Sequence, residues 1–238
     1  MSNWKRGESF DPWNLTPDQA IALQNELRTH LVLTWDHRPV ATVGGVDVSI
    51  KTDIARAAIV VLRYPDLAPL ASVTADAPLT FPYIPGLLAF REIPAILAAW
   101  ERLSPKLDLV MVDGQGIAHP RGFGIASHLG LWIERPTIGV AKSRLYGTHA
   151  EPGPGKGDHV PLYHERDPKQ VIGAAVRSRP GTTPLYVSPG HLIDLKHSIR
   201  RVLACVTQYR LPEPTRWAHN VGAGRQLPAG EDRQPRLL

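Results

Sequence analysis

Leu107-Asp108-Leu109-Val110-Met111-Val112-Asp113-Gly114-Gln115-Gly116 is the stretch that decides the fold. Residues 107–112 are an apolar run interrupted only by Asp108, with Ser104-Pro105 before it and glycine after it. A short run of this kind reads as a strand buried on both faces, as in sheets that contain parallel strands and carry helices on each side. Ligands of such sheets collect outside the carboxyl ends of the strands, which is where Asp113 stands. Alternation along the strand would equally allow Asp113 to face solvent.

Working outward, Thr137–Ala141 is a second buried strand, and Ile125–Ile133 between the two reads as a helix. Upstream, Val43–Ile50, Ala55–Tyr64 and Pro69–Thr74 read as three strands joined by connections short enough for antiparallel hairpins. Pro94 fits the first turn of a helix running to Leu103. Thr16-Pro17-Asp18-Gln19 has the form of a capping box, and Ala20, Leu23, Leu27 and Leu31 continue it as one apolar stripe. An amphipathic run from Leu192 to Val206 places His191 near a helix start. The order is three antiparallel strands, helix, strand, helix, strand. That order predicts an α/β fold with a ribonuclease-H-like mixed β-sheet flanked by helices. Residues 1–215 are expected to form one domain. Glu151–Gly157 reads as a Pro/Gly loop, and residues 216–238 as a poorly ordered tail.

Composition narrows the function. The 238 residues carry 27 Lys+Arg against 22 Asp+Glu, a formal charge of +5 that suits a polyanionic partner. Cys205 is the only cysteine and lies in an apolar run, which excludes a disulfide framework and a zinc finger and points to a reducing compartment. Met1–Pro12 has no signal-peptide core, and no apolar run approaches the roughly 18 residues of a membrane span. A cytoplasmic location, no membrane partner and a monomer are the expectation. Gly114-Gln115-Gly116 lacks the third glycine of a dinucleotide-binding fingerprint.

Three acids carry the chemistry. Asp47 lies between Val46 and Val48 in a strand, where an unpaired charge is costly. If its strand lies beside residues 107–112, Asp47 and Asp113 meet. Hard oxygen ligands from few residues suit Mg²⁺, which keeps part of its water shell and shares the rest with phosphate. Such an ion serves in-line hydrolysis of a phosphodiester. Glu92 reaches the same place from the start of the Pro94 helix. Lys142, just past the Thr137–Ala141 strand, emerges beside Asp113 and offers a point charge to a phosphate. His191, after Ser188-Pro189-Gly190, either binds a second ion, assists the leaving oxygen, or is a satisfied core histidine.

Pro82-Tyr83-Ile84-Pro85-Gly86 adds a stiff loop carrying an aromatic, able to wedge into a base stack or to pack Tyr83 on the core. Gly86, Gly114 and Gly116 let backbone amides approach a base or simply permit tight turns. Arg91, Arg121 and Arg144 are candidate phosphate contacts.

Val43-Gly-Gly-Val-Asp47, Pro82–Glu92 (PYIPGLLAFRE), Val112–Gly130 (VDGQGIAHPRGFGIASHLG), Thr137–Gly147 (TIGVAKSRLYG) and Ser188–His191 (SPGH) together resemble the endonuclease V family. The resemblance implies a Mg²⁺-dependent deoxyinosine 3′ endonuclease of DNA repair, with Mn²⁺ as a substitute ion. It cuts the second phosphodiester bond 3′ to the lesion and leaves 3′-hydroxyl and 5′-phosphate ends. It also implies Asp47 and Asp113 as metal ligands, Glu92 and His191 completing the catalytic site, and Lys142 on the phosphate. Tyr83, flanked by Pro82, Ile84 and Pro85, becomes the wedge, with Gly86, Leu88, Gly114, His119 and Ile125 lining a pocket for the flipped hypoxanthine. Pro189 and Asp194 depart from the family pattern; Asp194 either adds a carboxylate to the metal site or caps the next helix, the second being favoured. The same acids would serve a nuclease acting on inosine-containing RNA or on branched or hybrid duplexes. A non-catalytic nucleic-acid-binding module has little need of three carboxylates facing a polyanion.

Overall fold

The computed structural model of the chain describes residues 11–104 and 106–228. Its elements are α1 (Pro17–Leu27) followed by a 3-10 turn (Arg28–His30), β1 (Thr42–Lys51), β2 (Ile54–Arg63), β3 (Pro69–Pro78), α2 (Leu88–Glu101) and β4 (Leu109–Val112). Then come α3 (Ile125–Ile133), β5 (Thr137–Ala141), β6 (His159–His164), β7 (Asp167–Val176), β8 (Leu185–His191), α4 (Leu195–Ala204) and α5 (Glu213–Gly222). The strands make one sheet in the order β3-β2-β1-β4-β5-β8-β7-β6. β1, β4 and β5 are mutually parallel at its centre, and the other neighbours pair antiparallel. This is the ribonuclease-H-like mixed sheet expected from the element order.

Two faces are buried because the central strands are apolar on both. Along β2, Ala58, Val60 and Leu62 join the layer under α4 and α5, while Ala57, Ile59 and Val61 join the layer under α2 and α3. β4 divides in the same way, with Leu109 and Met111 on one side and Val110 and Val112 on the other. α1 begins with the capping box, Thr16 N–H donating to Gln19 Oε1 at 2.9 Å. It lies outside the α2–α3 layer, where Ala20 packs with Phe81, Leu87 and Phe90, and Leu27 with Phe123 and Leu131.

Several boundaries differ from the sequence expectation. α2 starts at Leu88, so Pro94 lies inside the helix, where it removes one hydrogen bond to the Phe90 carbonyl. The buried face formed by Ala89, Phe90, Ile93 and Ile96 outweighs that loss. Residues 159–191 contribute three strands with no counterpart in the sequence reading. Residues 188–191 belong to β8 and not to a helix start. Pro189 pairs with Ile138 next to a register shift, a position that tolerates a missing N–H.

The tail boundary at residue 215 falls within α5, which packs on β1 and β2 through Ala218 and Val221. The proposed signal-free start up to residue 10 and the tail from residue 229 lie outside the described residues. Cys205 is buried, and burial pushes its thiol up to about 12. Among the described residues no helix is long and apolar enough to cross a membrane.

Gly45 decides how closely α5 can approach. A Cβ there would stand 1.9 Å from the Pro214 carbonyl oxygen, which is backbone and cannot swing away. Gly45→Ala is therefore expected to push the start of α5 off β1 and cost about 1–3 kcal/mol, the usual range for overpacking, measured by urea unfolding.

His128 is fully buried on α3, its ring set among Trp13, Phe90 and Phe123. Burial lowers its pKa from 6.5 to about 3, so it stays neutral in the folded chain while the unfolded chain takes up a proton below about 6.5. Stability contributed by the neutral ring is therefore complete above that pH and is lost as pH falls toward 3, by about 1.4 kcal/mol per unit. His128→Leu should flatten the difference in unfolding free energy between pH 7 and pH 5, whatever its effect at pH 7.

Candidate active site

The acids meet through one backbone contact. Val46 of β1 is in register with Val112 of β4, and the next N–H, that of Asp113, donates to the Val46 carbonyl at 3.0 Å. The parallel ladder thus continues one residue past β4 and sets Asp47 and Asp113 side by side. Lys142 follows the last residue of β5, and its ammonium pairs with Asp113 Oδ2. Arg210 fixes the backbone there, its Nη2 donating to the Lys142 carbonyl at 2.7 Å. Glu92 comes in from the first turns of α2.

Burial, and then the neighbouring Asp113 charge, raise Asp47 to about 6, against the opposing pull of Lys142 and His219. Burial raises Glu92 to about 7, with the charges of Asp47 and Asp113 adding to it. Three carboxylates in one cleft with so little cationic compensation call for a positive ligand. Among the described residues no three His, Cys, Asp or Glu side chains form a ready-made ligand set for one ion. Hard carboxylate oxygens could hold a hard ion that keeps part of its water shell, as Mg²⁺ does. Asp47 and Asp113 are the two carboxylates that lie side by side.

The histidine of this site is His219. It projects from α5, and its Nδ1–H donates to Asp47 Oδ2 at 3.0 Å. His191 stands elsewhere: it is paired with Thr137 at the start of β5, the opposite end of the sheet from Asp113 and Lys142. Its ring is buried, and its Nδ1 accepts from the Val32 N–H at 3.3 Å, so it tethers the segment before β1. Asp194 lies at that same far end and caps α4, accepting from the His197 N–H at 2.9 Å. The sequence reading missed His219 because it ended the domain before it. The signal was present in Pro214, Ala218 and Val221, an apolar spacing of four and three behind a Glu-Pro helix start.

One cavity of about 570 Å³ joins the acids to the other predicted residues. Gly86, Leu88, Gly114, His119 and Ile125 line it together with Asp47, Glu92, Asp113, Lys142 and Tyr83. Tyr83 is 67% exposed at its rim and does not pack on the core, whereas Ile84 turns inward onto the Phe81–Phe90 cluster. Pro82 and Pro85 are exposed on either side.

His119 is 2% exposed; burial, followed by the Arg121 charge, lowers it to about 4, so the ring is neutral. Of the three arginines read as phosphate contacts, only Arg144 faces the cavity. Arg91 donates to the Phe81 carbonyl at 3.1 Å, and Arg121 to the Gly86 carbonyl at 2.7 Å, so both act on the protein's own backbone.

Known proteins share this fold. The family model for endonuclease V matches residues 25–220. An endonuclease V of Trichormus variabilis is 50% identical over 218 residues, covering 90% of this chain and 97% of the relative. The crystal structure of the Streptomyces avermitilis endonuclease V superposes with a TM-score of 0.84 at 42% identity, over 89% of this chain and 93% of that one. A Ciona intestinalis endonuclease V, crystallised with a DNA 23-mer containing an inosine followed by a ribo-adenosine, gives a TM-score of 0.77 at 28% identity, over 88% and 98%. The matched segment takes in β1, the Pro82–Gly86 loop, the acids and most of α5, and the chain belongs to the endonuclease V family of nucleases.

Proposed function

We propose that the protein incises DNA at deoxyinosine, hydrolysing the second phosphodiester bond 3′ to the lesion to leave 3′-hydroxyl and 5′-phosphate ends. The observation that carries this reading is one cavity of about 570 Å³ whose walls hold both the acid cluster and Gly86, Leu88, Gly114, His119 and Ile125. The Ciona relative bound to inosine-containing DNA supports the same substrate for a chain of the same fold. A flipped hypoxanthine would enter between Gly86–Leu88 and the Gly124–Ile125 start of α3, where backbone groups read its edge. Hypoxanthine carries a carbonyl where adenine has an amine, so amide donors there discriminate between them. Tyr83 would fill the gap left in the stack, repaying part of the few kcal/mol that unstacking costs.

Mg²⁺, or Mn²⁺ in its place, would be held by Asp47 and Asp113 and would supply charge stabilisation on the phosphate and a more acidic water. The chain's own groups do the rest. Glu92 orients the attacking water from the α2 side. Lys142 sets its ammonium against a non-bridging oxygen. His219, held through Nδ1 by Asp47, presents Nε2 to the leaving 3′ oxygen and gives it a proton as the P–O3′ bond breaks; the water oxygen forms the new bond to phosphorus and releases its own proton to solvent. A monomer in the cytoplasm completes the reading, in keeping with a lone buried thiol.

The test uses end-labelled duplexes with a single deoxyinosine, alongside adenine controls and inosine-containing RNA, each with and without Mg²⁺. A metal-dependent nick at the second bond 3′ to deoxyinosine is the expected product; cleavage of the RNA alone would move the enzyme to RNA metabolism. Asp113→Asn should keep binding to the lesion duplex within a few-fold and lower the single-turnover rate by about 10³-fold or more, in the range of lost charge and proton-transfer catalysis. His219→Ala should reduce that rate by about 10²–10⁴-fold. His191→Ala should instead lower the melting temperature and leave the rate of the folded fraction largely intact.

A further inference from the structure

Three side chains converge on one carbonyl oxygen beneath the wedge loop. Gln24 Nε2 donates to the Gly86 oxygen at 3.0 Å, His119 Nε2 lies 2.9 Å from it and Arg121 Nη2 donates at 2.7 Å. The histidine's role is fixed by its other nitrogen: Nδ1 accepts from the Arg121 N–H at 3.2 Å, so the proton sits on Nε2 and points at Gly86. Gln24 and Arg121 are also bound to each other, Arg121 Nε donating to Gln24 Oε1 at 2.5 Å. The remaining Gln24 hydrogen goes to the Phe123 carbonyl at 3.2 Å, just before α3.

A carbonyl offers two lone pairs, and turning three donors on one of them, including a guanidinium, is far more than satisfying a turn requires. Gly86 itself has φ +81°, and a Cβ there would come within 2.8 Å of Arg121 Nη2, so only glycine admits the clamp. At the other end of the loop, Arg91 Nη1 holds the Phe81 carbonyl at 3.1 Å. Between the two fixed carbonyls run only Pro82, Tyr83, Ile84 and Pro85, and the two prolines remove most of the torsional freedom that is left.

We propose that Gln24 and Arg121 are positioning residues that hold Tyr83 at the height needed to enter a base stack, by clamping the Gly86 carbonyl from the N-terminal helix. This rests on the reading of Tyr83 as a wedge. Gln24 is wholly buried and lies on α1, one residue before the segment matched by the family model. α1 thereby gains a part in recognition although it carries no group of the acid cluster. A loose loop would still let a base that is already unstacked reach the pocket, but would lose the push needed to extrude one from a duplex.

The experiment compares kcat/KM on a deoxyinosine duplex with that on the same strand unpaired, for wild type, Tyr83→Ala, Gln24→Met and the double variant. Binding of a duplex with 2-aminopurine beside the lesion, without divalent ions, is followed in parallel by fluorescence. Tyr83→Ala should lower the duplex to single-strand ratio at least tenfold, and Gln24→Met about fivefold or more, with a reduced 2-aminopurine rise. The double variant should fall no lower than Tyr83→Ala alone. Equal losses on both substrates for Gln24→Met, or multiplied losses in the double variant, overturn the clamp while leaving the wedge. A Tyr83→Ala loss that is equal on both substrates overturns the wedge and the clamp's purpose with it. If Gln24→Met does not fold, Arg121→Met, at a half-buried site, replaces it with the same expected ratio and the same overturning result.

Discussion

The structure hangs on the parallel pairing of β1 with β4, and in particular on the Asp113 amide that reaches back to the Val46 carbonyl. That hydrogen bond is ordinary in strength, yet it sets the register that brings two carboxylates together. A slip of one residue would turn one acid to the opposite face of the sheet and leave the other alone. Everything else in the cleft arrives relative to this pair. β5 delivers Lys142 from the next parallel strand, α2 delivers Glu92 from above, and α5 delivers His219 from below. The pair is costly to hold without a cation, so its presence at the centre of an otherwise apolar sheet marks function and not stability.

What was legible in the sequence was whatever local periodicity or residue chemistry determines. Leu109–Val112 and Ala57–Leu62 alternate between two buried layers, and both lie within stretches read as strands, Leu107–Val112 and Ala55–Tyr64, because their apolar character is nearly continuous. The capping box at Thr16 needs only four residues, and it forms as written. Asp47, Asp113 and Lys142 could be placed together from topology alone, since Asp47 lies within one strand of the parallel set and Asp113 and Lys142 directly follow the other two.

What was not legible depends on partners distant in the chain. β8 contains Pro189 and Gly190, so its composition suggests a turn; only pairing with β5 and β7 makes it a strand, and that pairing carries His191 to the far end of the sheet. His219 reaches Asp47 across a separation of 172 residues because Gly45 lets α5 settle onto β1. Gln24 had left one clue. It falls between Ala20 and Leu27 on the buried stripe of α1, and a polar side chain in such a row must find partners inside the protein. Arg91 and Arg121 read as surface charges available to phosphate; the fold turned both inward onto the Phe81 and Gly86 carbonyls.

The placement of His219 on the last of the described helices has a consequence for biosynthesis. A chain emerging from the ribosome can pair β1, β2 and β4 and assemble its carboxylates long before residues 213–222 are available. Until then the underside of β1 and β2, including Ala58 and Val60, has no cover, and the acids have no histidine beside them. Closure of the second apolar layer by α5 and the arrival of His219 beside Asp47 are therefore one event, and it comes late in synthesis.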